Sequence, residues 1–355
     1  MMKPRISVLM PIYNREVFLQ EAIESILRQT FDDFEFLLLD DGSTDRTAEI
    51  AMQAAAQDAR IRYQRWDQNR GIAAVMSEGI TLARGEYVAQ MDSDDISLPD
   101  RFARQVAFLD AHPEVGVCGA WICSFRESGR ENISKPPLDH ESIHARMIFS
   151  NPIKNPAVMV RGSFLRSTGL TFDPAFVTFS DYDFWSRAVV LTKFANLPEV
   201  LLRYRIHSAT LTISGKDHWR RAVASEFRLS IYRRMLGRLG LQCSDDDLQL
   251  HHRIGAHREK DNAADGGEND LAYVRRARTW LENLHRANQT ARLIDPEIFV
   301  RELGRHWRDV CRRSNAPALD LFGQIFASPL PFGSDWGMRK LWSAARISLF
   351  RRRSV

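Results

Sequence analysis

Three carboxylates fall within four positions, Asp92, Asp94 and Asp95, directly after the mostly apolar run Tyr87-Val88-Ala89-Gln90-Met91. Acids this close repel one another unless a cation neutralises them. Their ligand atoms are all hard oxygens, which suit Mg²⁺ or Mn²⁺. Such an ion, held by one or two carboxylates, keeps positions free for substrate phosphates. The competing reading is a solvated acidic turn that caps the next helix, a role Asp95 alone would fill. A second acidic group, Asp40-Asp41-Gly42-Ser43, closes the apolar stretch 34–39. Packing does not require two strands that both end in carboxylates.

The elements around these acids alternate. Residues 5–10 are rich in β-formers and end in Pro11-Ile12-Tyr13-Asn14. Leu19, Ala22, Ile23, Ile26 and Leu27 then lie on one helical stripe. Stretch 34–39 reads as a second strand, 45–58 as a helix and 60–66 as a third strand. Asn69-Arg70-Gly71 opens another helix, and the strand into Asp92 follows. Strands alternating with helices predict an α/β fold with a mostly parallel, doubly wound sheet. In that topology both acidic groups fall on the carboxyl edge of the sheet, around one cleft.

The chain has 355 residues, 44% of them hydrophobic, enough for one large α/β domain plus an extension. A net charge of +4 is mild and gives no reason to expect nucleic acid as a partner. Cys118, Cys123, Cys243 and Cys311 lack metal-ligand spacing and read as reduced thiols of a cytoplasmic protein. The first strand begins within a few residues, so no signal peptide is expected. No apolar run is long enough to span a bilayer. From about residue 217 the composition turns to Arg, Ala and Leu with helical spacing. Trp219, Val223, Phe227 and Ile231 share one helix face, 262–269 reads as a loop, and 271–287 as a further helix. After the breaker Leu330-Pro331-Phe332-Gly333, residues 336–355 interleave Trp336, Leu341, Trp342, Ala345, Ile347 and Leu349 with Arg339, Lys340, Arg346, Arg351, Arg352 and Arg353. A basic, Trp-bearing amphipathic helix suits an anionic membrane surface and a peripheral place at its inner face. It equally suits a helix packed on the body or a dimer contact.

Taken together, these motifs resemble the family 2 glycosyltransferases with the GT-A fold. The matching stretches are Ser7 to Asn14 (SVLMPIYN), Asp40 to Asp45 (DDGSTD), Gly85-Glu86-Tyr87, Asp92-Ser93-Asp94-Asp95, Asn151-Pro152-Ile153, Asp181-Tyr182-Asp183-Phe184-Trp185 and Tyr204-Arg205-Ile206-His207-Ser208. The resemblance covers residues 5 to about 215. It implies a GT-A domain over 1–215 and a helical extension with a basic tail over 216–355. It also implies an inverting enzyme that moves a sugar from a nucleotide-sugar, a UDP-sugar first, to a hydroxyl of a glycan or lipid-linked saccharide.

The resemblance assigns roles residue by residue. Pro11, Tyr13 and Asn14 hold the nucleotide base, Tyr13 by its π-face, and Asp40 or Asp41 accepts from a base N–H unless it only caps the following helix. Of Asp92 and Asp94, one binds Mn²⁺ or Mg²⁺ and the other supports metal or ribose; His207 reaches the metal or the diphosphate. Arg203 or Arg205 offsets phosphate charge. Asp181 stands at the catalytic-base position, where it also fits a helix N-cap before 182–190. Phe184 and Trp185 read as core or as a wall for the acceptor. Ser180 replaces the Glu common before the base, Met76 and Ser77 replace an Arg-Asn pair, and Asn155-Pro156 replaces His-Pro. Two other classes use the same acids. One is a nucleotide-sugar binding module without turnover; the other is a metal-dependent nucleotidyl or phosphoryl transferase, for which Asp181 has no evident task.

Overall fold

The computed structural model describes residues 3–126, 128–207, 218–255, 270–314, 316–328 and 330. The chain divides into two compact units, Met1–Ile143 with Asn151–Arg228, and His144–Ser150 with Leu229–Val355. The basic stretch 336–355 and the loop 262–269 lie outside the described residues.

The first unit is built on one sheet. Strand β1 (Ile6–Ile12) runs parallel between β2 (Phe34–Asp40) and β4 (Tyr87–Gln90), and β3 (Ile61–Arg65) adds in parallel to β2. Helices α1 (Leu19–Leu27), α2 (Thr47–Gln57) and α3 (Ile72–Leu82) connect these strands. Consecutive residues of β1 and β2 are buried, Val8, Leu9 and Met10 with Phe36, Leu37, Leu38 and Leu39, so both sheet faces are covered. The α1 stripe is buried at Leu19, Ala22, Ile23 and Ile26, as its spacing predicts.

Beyond β4 the sheet is mixed. The order β3-β2-β1-β4 continues through β8 (Met159–Arg161), β6 (Val115–Phe125), β9 (Lys193–Arg205) and β5 (Ile96–Ser97), with β7 (Glu131–Ser134) on β6. β8 is antiparallel to β4 and β6, whereas β6 and β9 are parallel. The parallel, doubly wound arrangement read from the sequence therefore describes the half of the sheet made by β3, β2, β1 and β4. Past Asp92 strands and helices no longer alternate strictly, and strand direction depends on pairings remote in sequence.

Two small side chains allow the central strands to approach. Ser7 Oγ, buried in β1, donates to Glu35 Oε1 at 2.6 Å and accepts from Gly85 N–H at 2.7 Å. A Cβ on Gly85 would lie 2.4 Å from Ser7 N, so the turn into β4 admits no side chain there.

The second unit is helical. It holds α9 (Asp245–Gly255), α10 (Asp270–Ala291), α11 (Pro296–Arg313) and α12 (Ala318–Phe326), and the boundary between units falls inside α8 (His218–Arg238). Its core contains polar groups that are paired. His251 Nε2 meets Ile148 O at 2.9 Å, and its Nδ1 accepts from Trp280 Nε1 at 3.1 Å. That pattern fits a neutral imidazole, and burial pushes its pKa down to about 3. Arg146 Nε reaches Glu302 Oε1 at 2.6 Å. Among the described residues, no helix is long and apolar enough to cross a membrane.

Candidate active site at the carboxyl edge of the sheet

The site grows from the C-terminal ends of β1, β2 and β4. Pro11 sits in β1 where pairing with β4 has already ended at Leu9, so its missing N–H costs no ladder bond. Tyr13, just past the strand, is 42% exposed and offers its ring to solvent. Asn14 takes a left-handed conformation, φ 50°, which Asn tolerates better than most residues. It staples two loops: Asn14 N–H donates to Ser43 Oγ at 3.1 Å, and its Oδ1 accepts from Thr44 N–H at 2.9 Å.

Asp40 and Asp41 are both buried. Asp40 Oδ1 accepts from Ser43 N–H at 2.9 Å and Oδ2 from the Tyr63 hydroxyl at 2.6 Å. Asp41 Oδ1 and Oδ2 accept from the N–H groups of Arg70 and Gly71 at 2.7 and 2.9 Å. Neither caps the following helix. α2 starts at Thr47, whose N–H goes to Asp45 Oδ1 at 2.9 Å. Asp41 instead ties the β2 loop to the entrance of α3.

Among the described residues, Asp92, Asp94 and Asp95 each offer a carboxylate oxygen, all within 4.8 Å of one another. Burial, then the charges of Asp94 and Asp181, push Asp92 up to about 7, against the pull of Arg15 and Arg101. Burial and the charges of Asp92 and Asp94 push Asp95 well above the usual carboxylate range. Asp95 does not cap a helix: its Oδ1 accepts from Arg205 N–H at 2.8 Å, and its buried Oδ2 has no hydrogen-bond partner. His207 Nε2 lies 3.0 Å from Asp94 Oδ2, and Arg15 Nε lies 3.5 Å from the same oxygen. Clustered hard oxygens, two of the carboxyls with raised pKa and one with an unpartnered buried atom, fit a divalent cation, Mn²⁺ or Mg²⁺.

The arginines divide their tasks. Arg205 Nε donates to Asp94 O at 2.9 Å, its Nη2 pairs with Glu21, and its guanidinium lies over Phe18 and Phe125. It is a strut between the acid turn and the end of β9. Arg203 pairs with Glu131 at 2.9 Å. Arg101 is fully buried beneath the acids, and its Nη2 donates to Gln90 O at 2.7 Å and Val158 O at 3.2 Å. Burial lowers its pKa to about 9, with the charges of Asp95 and Asp92 opposing.

Asp181 lies in the first turn of α7 (Ser180–Ala188) and is not its N-cap. The cap position belongs to Phe179, held left-handed at φ 57°. Asp181 Oδ1 accepts from Tyr182 N–H at 2.8 Å and Oδ2 from Asn151 Nδ2 at 3.0 Å. Burial raises its pKa, while these donors and Lys154 oppose the rise. Its charge is among those that lift Asp92, so the two carboxylates lie within electrostatic reach of each other. Phe184 and Trp185 are fully buried core residues, and Trp185 Nε1 donates to Asn155 Oδ1 at 3.1 Å. Ser77 Oγ donates to Phe172 O at 3.0 Å.

Sequence reasoning did not give roles to Arg15, Tyr63, Arg101 or Asn151. Arg15 directly follows the Tyr13-Asn14 pair and Asn151 opens a stretch that carries the resemblance, so both were open to notice; Tyr63 and Arg101 act over separations that no local pattern reports.

An α/β sheet whose carboxyl edge carries an acidic turn fit for a divalent cation, with a half-buried carboxylate within electrostatic reach, suits a phosphate-bearing substrate. The model of the family described as Glycosyl transferase family 2 matches residues 7–167. The chain is 30% identical over 262 residues to an uncharacterized glycosyltransferase of Haemophilus influenzae, covering 70% of this chain and 81% of that protein. It is 31% identical over 205 residues to the amylovoran biosynthesis glycosyltransferase AmsE of Erwinia amylovora, covering 57% of this chain and 76% of that protein. S. aureus TarS 1-349 in complex with UDP-GlcNAc superposes with a TM-score of 0.60 at 17% identity, covering 88% of this chain and 93% of that one; this likeness shows the shared fold. The chain belongs to glycosyltransferase family 2 and is a glycosyltransferase of the GT-A type.

Proposed function

We propose that the protein transfers a sugar, with inversion, from a nucleotide-sugar to a hydroxyl of a glycan or lipid-linked saccharide. The observation that carries this reading is the pairing of the Asp92-Asp94-Asp95 cluster with Asp181. A cation site and a half-buried base within electrostatic reach of each other are what displacement of a diphosphate by a hydroxyl needs. A UDP-sugar is the first donor to test, since TarS, of the same fold, was solved with UDP-GlcNAc. AmsE is named for amylovoran biosynthesis, which favours a saccharide acceptor.

In this reading the exposed ring of Tyr13 stacks on the base. Asp40 and Asp41 shape the base pocket, their oxygens already holding protein donors, and any contact to a base N–H uses a remaining lone pair. Asp92, Asp94 and His207 would hold the cation, with the unpartnered Asp95 Oδ2 in the same turn, and the ion would supply charge neutralisation for the departing diphosphate. Asp181 takes the proton of the acceptor hydroxyl as its oxygen attacks the anomeric carbon from the side opposite the diphosphate. The basic stretch 336–355, by its sequence alone, docks the protein peripherally on an anionic membrane where a lipid-linked acceptor is presented.

A panel of nucleotide-sugars, assayed with Mn²⁺ for binding and sugar release, tests the donor. Products that carry transferred phosphate or nucleotide in place of sugar would refute the reading. Asp181→Asn keeps side-chain size but cannot accept a proton. It should retain donor binding and lose about 10²–10⁴ in transfer rate; a variant within a few-fold of wild type would leave Asp181 without the catalytic role.

A further inference from the structure

We infer that Asn151 is a positioning residue for the base: its amide, oriented by the Ile153 main chain, donates to Asp181 Oδ2 and fixes that carboxylate for proton transfer. The inference rests on the base role proposed for Asp181.

The orientation of the amide follows from its second contact. Ile153 N–H donates to Asn151 Oδ1 at 3.0 Å, which identifies the oxygen and turns Nδ2 the other way. Nδ2 then lies 3.0 Å from Asp181 Oδ2. Pro152, buried between the two anchor points, has a fixed φ and no N–H of its own to compete for Oδ1. Asn151 is therefore held at its backbone end by an Asx turn and presents one donor in a set direction. On the far side, Tyr182 N–H occupies Asp181 Oδ1 at 2.8 Å. With one donor on each oxygen, the plane of the carboxylate is set and lone pairs remain for an incoming hydroxyl.

The same bond keeps the base in its working form. Burial favours the neutral acid. Against it stand the Tyr182 N–H, the Asn151 amide, the residue's own N–H and the Lys154 charge. Hydrogen bonds to the ionised form favour it. In the step served, the acceptor O–H bond breaks and its proton moves to Asp181. The oxygen–anomeric carbon bond forms, and the bond to the diphosphate breaks with its electron pair leaving on the diphosphate.

The test is a ¹³C NMR titration of aspartate carboxyls in the full chain without metal or donor, with the Asp181 signal assigned by its loss in Asp181→Asn. Asn151→Ala should raise the Asp181 midpoint by about one pH unit, as expected for one lost donor. Asn151→Asp keeps an acceptor for Ile153 N–H, so it preserves the turn if the alanine variant fails to fold. It places a second carboxylate at the same distance and should raise the midpoint further. Midpoints unchanged in both variants would refute the role of Asn151, even with Asp181→Asn inactive. A shifted midpoint alongside an Asp181→Asn protein that transfers sugar at the wild-type rate would instead remove the base, and the positioning role with it.

Discussion

Mn²⁺ binding to the protein without donor should tighten about tenfold between about pH 6 and about pH 8, then level off. A cation competes with the proton for Asp92, whose pKa is pushed from 3.8 to about 7 by burial, then by Asp94 and Asp181. About a tenth of the group is ionised at about pH 6 and about nine-tenths at about pH 8, a difference worth about 1.4 kcal/mol. Asp95 is pushed up by the same causes, so the dependence steepens toward two protons per ion if its proton must also leave. The sign for stability follows. A carboxyl whose folded pKa is raised makes the metal-free fold lose stability as pH rises from 3.8 to about 7. Added Mn²⁺ should therefore raise the melting temperature more at the upper end of this window. Titration calorimetry in two buffers of different ionisation enthalpy reads both the affinity and the protons released. Asp94→Ala should lose most of the affinity at every pH. Asp181→Asn removes one of the charges that lift Asp92, so the pH at which Mn²⁺ affinity levels off should fall while transfer is lost. Affinity independent of pH with no proton release, or an Asp94→Ala protein that binds like wild type, would refute the assignment.

Arg101→Met should destabilise the first unit by about 2–4 kcal/mol, because it strips hydrogen bonds from Gln90 O, Val158 O and Gln105 Oε1 in a fully buried place. A urea unfolding midpoint close to wild type would contradict that. Deleting residues 336–355 should leave donor hydrolysis intact and weaken binding to anionic vesicles, by about 1 kcal/mol for each basic residue near the surface. Co-sedimentation with and without added salt measures this, and equal binding by the two chains would assign the stretch to packing.

The first half of the sheet was legible because its signals are local. Apolar runs marked β1, β2 and β4, the last two ending in acids, and the stripe of Leu19, Ala22, Ile23 and Ile26 marked α1. The mixed half was not, since the antiparallel insertion of β8 between β4 and β6 is set by pairings across the chain. The N-cap of α7 was misplaced for another reason. Phe179 holds φ 57°, a conformation its residue type does not advertise, and so moves the helix start ahead of Asp181. Harder still is the division of labour among the acids. Asp40, Asp41, Asp92, Asp94 and Asp95 look alike as carboxylates at strand ends. Partner counting separates them. Both oxygens of Asp40 and of Asp41 hold protein donors, and three of those four donors are main-chain N–H groups of the adjoining loops. Asp95 Oδ2 is buried with no donor at all. An acid whose oxygens are filled by its own loops builds the pocket wall. An acid left short of donors in a buried place needs a positive charge from outside, which is the physical distinction between the scaffold of this site and its cation-binding turn.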